Sequence, residues 1–337
     1  MLRIFLGAVE TTSEYKFQST GGMIVFCIAL LWTARAQIKN VIKKAFTNTP
    51  DIDDSDEPLS YRQAFFGALV GFIFIIGWCM AIGLHWLWAL ALFFIYFCMI
   101  IVLTRLVAEA GMYNWWSPMK PQEVVIRVAT NKLVNDQTYT TLSIVGFQIW
   151  DFATCVMAQA MSAFKIADLG GFRKRTLCYL LLSALVISVI ACHIPCLYVT
   201  YKYGAPNLGT WMAKTPSRVA DEIGKGLHSK NVIETRKYGH IGLGAIVTMA
   251  LLYFRRRFVW WPFHPLGFIA AYTIERYWFA FFLGWLAKVI VLKLGGIRTY
   301  KKLYAGALGL ILGDAVILFL WLIFHYFLPI DGILVEE

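Results

Sequence analysis

The chain is 337 residues long, 59% hydrophobic and only 15% charged, with a mean hydropathy of +0.63. Adding its 26 glycines takes the apolar share well above the roughly 45–50% of soluble domains, which points to a polytopic integral membrane protein. The net charge of +11 sits in clusters beside apolar runs, Arg173-Lys174-Arg175 and Arg255-Arg256-Arg257 above all, as the positive-inside rule expects, so nucleic acid is excluded as a partner.

The first residues carry one basic group and too short an apolar stretch for a cleavable signal peptide. Gly21 to Ala36 is a short span, followed by Arg35, Lys39, Lys43 and Lys44. Residues 37–62 then form a solvated loop whose acidic part, Thr49 to Ser60, lacks the ligand spacing of a calcium site. Ala64 to Gly83 and Trp86 to Leu106 predict a helical hairpin that turns at Leu84-His85. Residues 117–137 are more polar. Pro121 starts a helix there, with Val124, Val125, Val128 and Leu133 on one side, as in a helix lying at the membrane interface.

Leu142 to Phe164 is apolar but interrupted by Gln148, Asp151, Gln159 and Lys165, so it either faces a protein interior or crosses incompletely. Thr176 to Tyr201 is the next strong span. The extramembrane loop 202–238 holds a short helix near Pro216, with Val219, Ile223 and Leu227 recurring every four residues. Gly239 to Phe254 ends in the triple arginine. Trp260 to Tyr272 is broken by proline and reads as re-entrant, and Trp278 to Leu294 and Leu303 to Phe327 complete the chain. The expected fold is an all-α transmembrane helical bundle, one integral domain over 1–337, with six to eight membrane segments including one or two re-entrant or broken helices.

Charges inside the apolar runs mark the candidate site. A mid-membrane charge costs roughly 2.5–3.5 kcal/mol even on a lenient scale. Asp314 stands about 11 residues, or ~16 Å, from either end of its span. Lys288 is similarly central, and a Lys288–Asp314 ion pair would be the economical structural explanation of both. Arg105 and Glu109 share a helix face at i, i+4. Gly111, Asn114 and Trp115-Trp116 then suggest that the helix stops, which inside a membrane is the broken-helix device of transporters. Asp151, with Gln148, Thr154 and Gln159, offers weaker polar positions.

The seven cysteines fall in or near apolar runs and read as small buried side chains. Cys192, His193 and Cys196 lack a fourth ligand for a metal site. His85, His193, His240, His264 and His325 single out no pair for haem. No P-loop, GxSxG or HExxH motif occurs, so no enzyme and no cofactor is expected.

The stretches "DDSDEPLSYRQAFFG", "LTRLVAEAGM", "WWPFHPLGF", "WFAFFLGWLAKVIVLKLGGIRTYKKL" and "GLILGD" together resemble the C-terminal portion of a large family of uncharacterised prokaryotic polytopic membrane proteins. "GLILGD" is more distantly similar to a late helix of the oligopeptide transporter superfamily. The first resemblance implies a prokaryotic cytoplasmic membrane and a partner chain or second copy to supply a missing half. The second implies secondary transport of a small polar or peptide-like solute, with Asp314 as coupling carboxylate and Arg105, Glu109 and Gly111 near the site. The alternative expectation is a non-catalytic scaffold or accessory subunit of a larger membrane complex.

Overall fold

The structure is a computed structural model that describes residues 11–47, 52–111, 117–128, 134–149, 152, 155–228, 235–274 and 277–327. Among these there is no strand. The chain divides into two compact units, Met1–Thr273 and Ile274–Glu337.

The first unit is built on α1 (Thr11–Thr33), which runs at Thr33 into α2 (Arg35–Thr47) with a bend of 60°. The Thr33 hydroxyl donates to the Ala29 carbonyl at 2.8 Å, a side-chain bond of the kind that bends helices. A loop then leads into α3 (Tyr61–Ala81), capped by Ser60, whose side chain accepts from the Gln63 N–H. Lys44 ties the loop to α2 by donating to the Ile52 carbonyl and to Asp54 Oδ1, the latter at 2.9 Å. Asp54 Oδ2 in turn accepts the Tyr61 N–H at 3.0 Å.

α4 (Trp86–Ala110) returns after a turn at Gly83, where φ is 91° and a side chain would be strained. His85 caps it, Nδ1 accepting from the Leu87 N–H. α4 is the most enclosed of the long helices, with Leu92, Val102 and Leu106 fully buried. Near its start it meets α3 and two short helices, α5 (Pro121–Val128) and α6 (Asp136–Gln148), around Cys79, Leu84, Phe93, Val125, Leu142 and Val145. Val124 and Val125, placed together by their spacing, are buried in and beside this core; Leu133 lies outside the described residues.

α7 (Val156–Gly170) leans on α4 and leads into α8 (Lys174–Tyr203), a 30-residue helix with no buried residue. A single 3-10 turn, Ala205–Asn207, precedes α9 (Thr210–His228). Val219, Ile223 and Leu227 of α9 are half-buried, and the helix packs on α6.

α10 (Thr235–Arg257) makes the most extensive helix pair of the fold with α1. The two run in the same direction, since Gln18 lies by Gly244, Gly22 by Thr248 and Thr33 by Arg256. Glycine makes the approach possible. A Cβ on Gly21 would overlap the Ile241 carbonyl, and one on Gly244 would overlap that of Gln18. This is backbone-to-backbone packing through small residues, as membrane helices use. α11 (Pro265–Ile274) tucks Ile269 and Ala270 into the same region, near Gly22.

The second unit is α12 (Trp278–Phe327), which breaks at Gly296, where φ is 63° and ψ −172°. Four helices, α3, α4, α8 and α12, are long and apolar enough to cross a membrane, and the bent α1–α2 pair makes a possible fifth. The expected count of six to eight is not reached by length and composition among the described residues. α6, α7 and α11 are short, and the apolar stretch of α10 is pinched between Lys237 and the triple arginine.

Gly244→Ala should destabilise the α1–α10 pair by about 1–3 kcal/mol, the usual cost of overpacking, read as earlier thermal unfolding of the detergent-solubilised protein. Gly242→Ala, where a Cβ meets nothing within 4 Å, should be neutral or slightly stabilising because alanine favours helix.

The Lys44 ammonium, and then the Tyr61 N–H, hold the Asp54 carboxyl below its ordinary 3.8. A lowered folded pKa contributes stability that is present above the ordinary value and lost as pH falls through the folded one. Protection of the Tyr61 amide, its exchange rate relative to the intrinsic rate at each pH, should therefore hold down to about pH 4 and fall only below it; a fall already near pH 6 would contradict the tie.

Candidate functional site

The last turns of α4 bury Leu103 and Leu106 on one face and leave Arg105 and Glu109 on another, one turn apart. The Arg105 guanidinium donates to Glu109 Oε1. The second carboxylate oxygen, Oε2, lies 3.5 Å from His264 Nε2. Glu109 is thus held between a fixed cation and an imidazole, with side-chain exposures of 32% for Glu109 and 30% for His264.

His264 reaches this place because it starts α11. Its Nδ1 accepts the Leu266 N–H at 3.0 Å and its carbonyl accepts the Gly267 N–H, while Pro265 occupies the first helical position, where a missing N–H costs nothing. A ring nitrogen that accepts a hydrogen bond carries no proton, so the neutral ring holds its proton on Nε2, towards Glu109. His264 therefore presents an N–H towards the carboxylate that also accepts from Arg105.

α4 stops immediately afterwards. Gly111 adopts the left-handed conformation, φ 67°, and its N–H bonds the Val107 carbonyl at 3.1 Å. Asn114, Trp115 and Trp116 lie outside the described residues. The chain then comes back along the helix it has just left. Ser117 Oγ sits 3.6 Å from Met99 Sδ and donates to the Met119 carbonyl at 2.7 Å, with Pro118 and Met119 buried. Met99 is about 18 Å back along α4 from Gly111, at 1.5 Å per residue. Non-helical backbone therefore runs beside the middle of an apolar helix, which membrane proteins tolerate only where protein or water covers it.

Of the residues singled out by sequence, the structure brings Arg105, Glu109 and Gly111 together and adds His264. Lys288 and Asp314 do not pair. The Lys288 amine lies 5.7 Å from the centre of the Tyr300 ring, a cation–π contact. The break at Gly296 turns the chain between those two residues, and Asp314 is exposed on the later arm. Asp151 lies outside the described residues. Cys192 and Cys196 are exposed on α8, and His193 Nδ1 bonds the Val189 carbonyl of its own helix at 2.8 Å. Among the described residues no three metal-binding side chains converge. A separate open groove of about 610 Å³ lies at the other end of α4, lined in part by His85, Trp86, Trp88, Asn135 and Gln137.

A family of unknown function, DUF6785, matches residues 6–335 of the chain. No curated protein matches it, and no solved structure does. Neither comparison supports the more distant likeness to the oligopeptide transporter superfamily.

His264→Ala removes both the cap of α11 and the contact with Glu109, and should cost about 1 kcal/mol of stability. His264→Asn, a good capping residue, should recover most of that loss in thermal unfolding. Equal destabilisation by both variants would mean that the cap contributes nothing.

Proposed function

This chain belongs to that family of unknown function, so its role has to be read from its own residues, and we propose that it is a secondary-transporter-like membrane subunit for a small polar or peptide-like solute. The observation that carries the reading is the end of α4. There a carboxylate touches a guanidinium and an imidazole, one helix stops on a left-handed glycine, another starts on a histidine cap, and irregular backbone returns along the span. Transporters hold ions and solutes at such interrupted helices.

On this reading Glu109 and His264 exchange the coupling proton. Arg105 receives the anionic end of the solute once Glu109 is protonated, and Gly111 provides the helix break. Asp314, on the later arm of α12, is a second coupling carboxylate, and Lys288, on the earlier arm, is a separate positive charge. Adding α7, α10 and a re-entrant α11 to the four or five long spans gives seven or eight membrane segments, within the six to eight expected. The protein is not an enzyme, uses no cofactor, and resides in a prokaryotic cytoplasmic membrane beside a partner subunit or a second copy.

One observation favours a scaffold or accessory subunit instead. α8 and α12 bury none of their apolar span and α3 buries 6%, which suits a chain that packs against other chains. The two readings separate in one reconstitution. The chain, with whatever membrane chain purifies beside it, is placed in liposomes holding a pH-sensitive dye, and a di- and tripeptide mixture is added.

Peptide-dependent proton entry should appear, and Glu109→Gln and Asp314→Asn should each abolish it while the protein still inserts. Proton entry retained in Glu109→Gln would remove that residue from the mechanism. No solute-dependent flux with the native partner present would leave the scaffold reading.

A further inference from the structure

One end of the first unit gathers positive charge from two distant parts of the chain. α2 carries Arg35, Lys39 and Lys43 at i, i+4 and i+8, one stripe of the helix, and Ile38, Val41, Ile42, Ala45 and Phe46 along another. Lys44, off that stripe, is taken by Asp54. Among the described residues, Arg35, Lys39 and Lys43 have no acidic partner.

The end of α10, with its Arg255-Arg256-Arg257 run, comes to the same place through Arg256. Arg256 donates to the Thr33 hydroxyl at 3.3 Å, one residue from Trp32, over whose ring Arg35 lies at 4.7 Å. Two guanidiniums from opposite ends of the unit thus meet at the α1–α2 bend. Trp32, 64% exposed, and Trp260, 74% exposed just beyond the triple arginine, flank them.

The surroundings select the ligand. Ile38, Ile42 and Phe46 stay partly exposed along α2, and Val259 projects fully from the loop after α10. A soluble polyanion would cover the charges and leave those apolar groups wet. A bilayer surface covers both, because amphipathic helices bury their apolar face at the headgroup boundary while basic groups meet the phosphates and tryptophans occupy the interface. Anionic lipids add net attraction to Lys and Arg that zwitterionic lipids lack.

We propose that the α1–α2 bend and the end of α10 form a binding site for anionic phospholipid headgroups. Arg35, Lys39, Lys43 and Arg256 take the phosphate, and Trp32 and Trp260 rest at the acyl boundary. The site turns this end of the unit towards the leaflet richest in anionic lipid.

The test uses the full chain in mild detergent, titrated with phosphatidylglycerol, phosphatidylcholine or inorganic phosphate and followed by native mass spectrometry. Phosphatidylglycerol should be retained preferentially. The combined variant Arg35→Gln, Lys39→Gln, Lys43→Gln should reduce that preference by about a hundredfold, from roughly fivefold per basic group. Lys165→Gln with Lys174→Gln should leave it unchanged, since Asp168 already holds both lysines. Equal retention of the two lipids would overturn the proposal, as would a preference surviving in the α2 variant or displacement of lipid by equimolar inorganic phosphate. Should the α2 variant fail to fold, photoactivatable phosphatidylglycerol decides on the wild-type protein. Labels within residues 32–46 and 255–263 support the site, and labels confined elsewhere overturn it.

Discussion

The architecture of the first unit depends on how closely α1 and α10 approach. Gly21 and Gly244 present bare backbone to the carbonyls of Ile241 and Gln18, so the axes close to a distance that any larger side chain would forbid. In lipid there is little hydrophobic force to drive helices together, and contact area between backbones supplies the attraction instead. Once the two helices are locked in parallel, the rest of that end follows. Arg256 reaches Thr33, the loop after α10 is led over the end of α4, and His264 arrives beside Glu109. A ring contributed 155 positions downstream, by residue number, thereby completes a pair that α4 makes alone only in part.

The same constraint explains why polar groups gather at helix ends. A helix terminus leaves four backbone groups without intrahelical partners. The chain meets that need locally, with Gly111 folding back on Val107 and with His85 and His264 each accepting a backbone N–H two residues on. Using histidine for this purpose gives each cap a second nitrogen free to face something else. His85 lines the open groove, and the Nε2 of His264 faces a carboxylate.

Much of this was legible from residue spacing, and the failures have physical causes. The hairpin turn at Leu84-His85, the Arg105–Glu109 contact and the stop at Gly111 are local, so neighbouring residues suffice to read them. His264 was one of five histidines in or beside apolar runs, because meeting Glu109 requires knowing how α10 packs. A signal did exist: His85-Trp-Leu and His264-Pro-Leu both stand at the start of an apolar helix, a pattern of side-chain capping. The Lys288–Asp314 pair looked economical because both charges are central in their apolar runs. Gly296, with its positive φ, redirects the chain between them and brings Tyr300 to the lysine instead. α10 reads as a crossing helix from its apolar stretch, and its glycines make the same stretch a surface for close packing against α1.

The α1–α10 contact also sets a clock. Arg256 follows Thr33 by 223 residues, and chains grow at about 5–20 residues per second, so α1 waits roughly 10–45 s before its partner exists. Through that interval the Gly21–Gly22 notch is filled only by lipid chains, or by the insertion machinery itself. Until then α1 is held only by partners made earlier, α4 and the Lys16–Glu123 ion pair at 2.8 Å. Biogenesis, more than the finished protein's stability, is therefore where any slowing of translation between α1 and α10 would be felt.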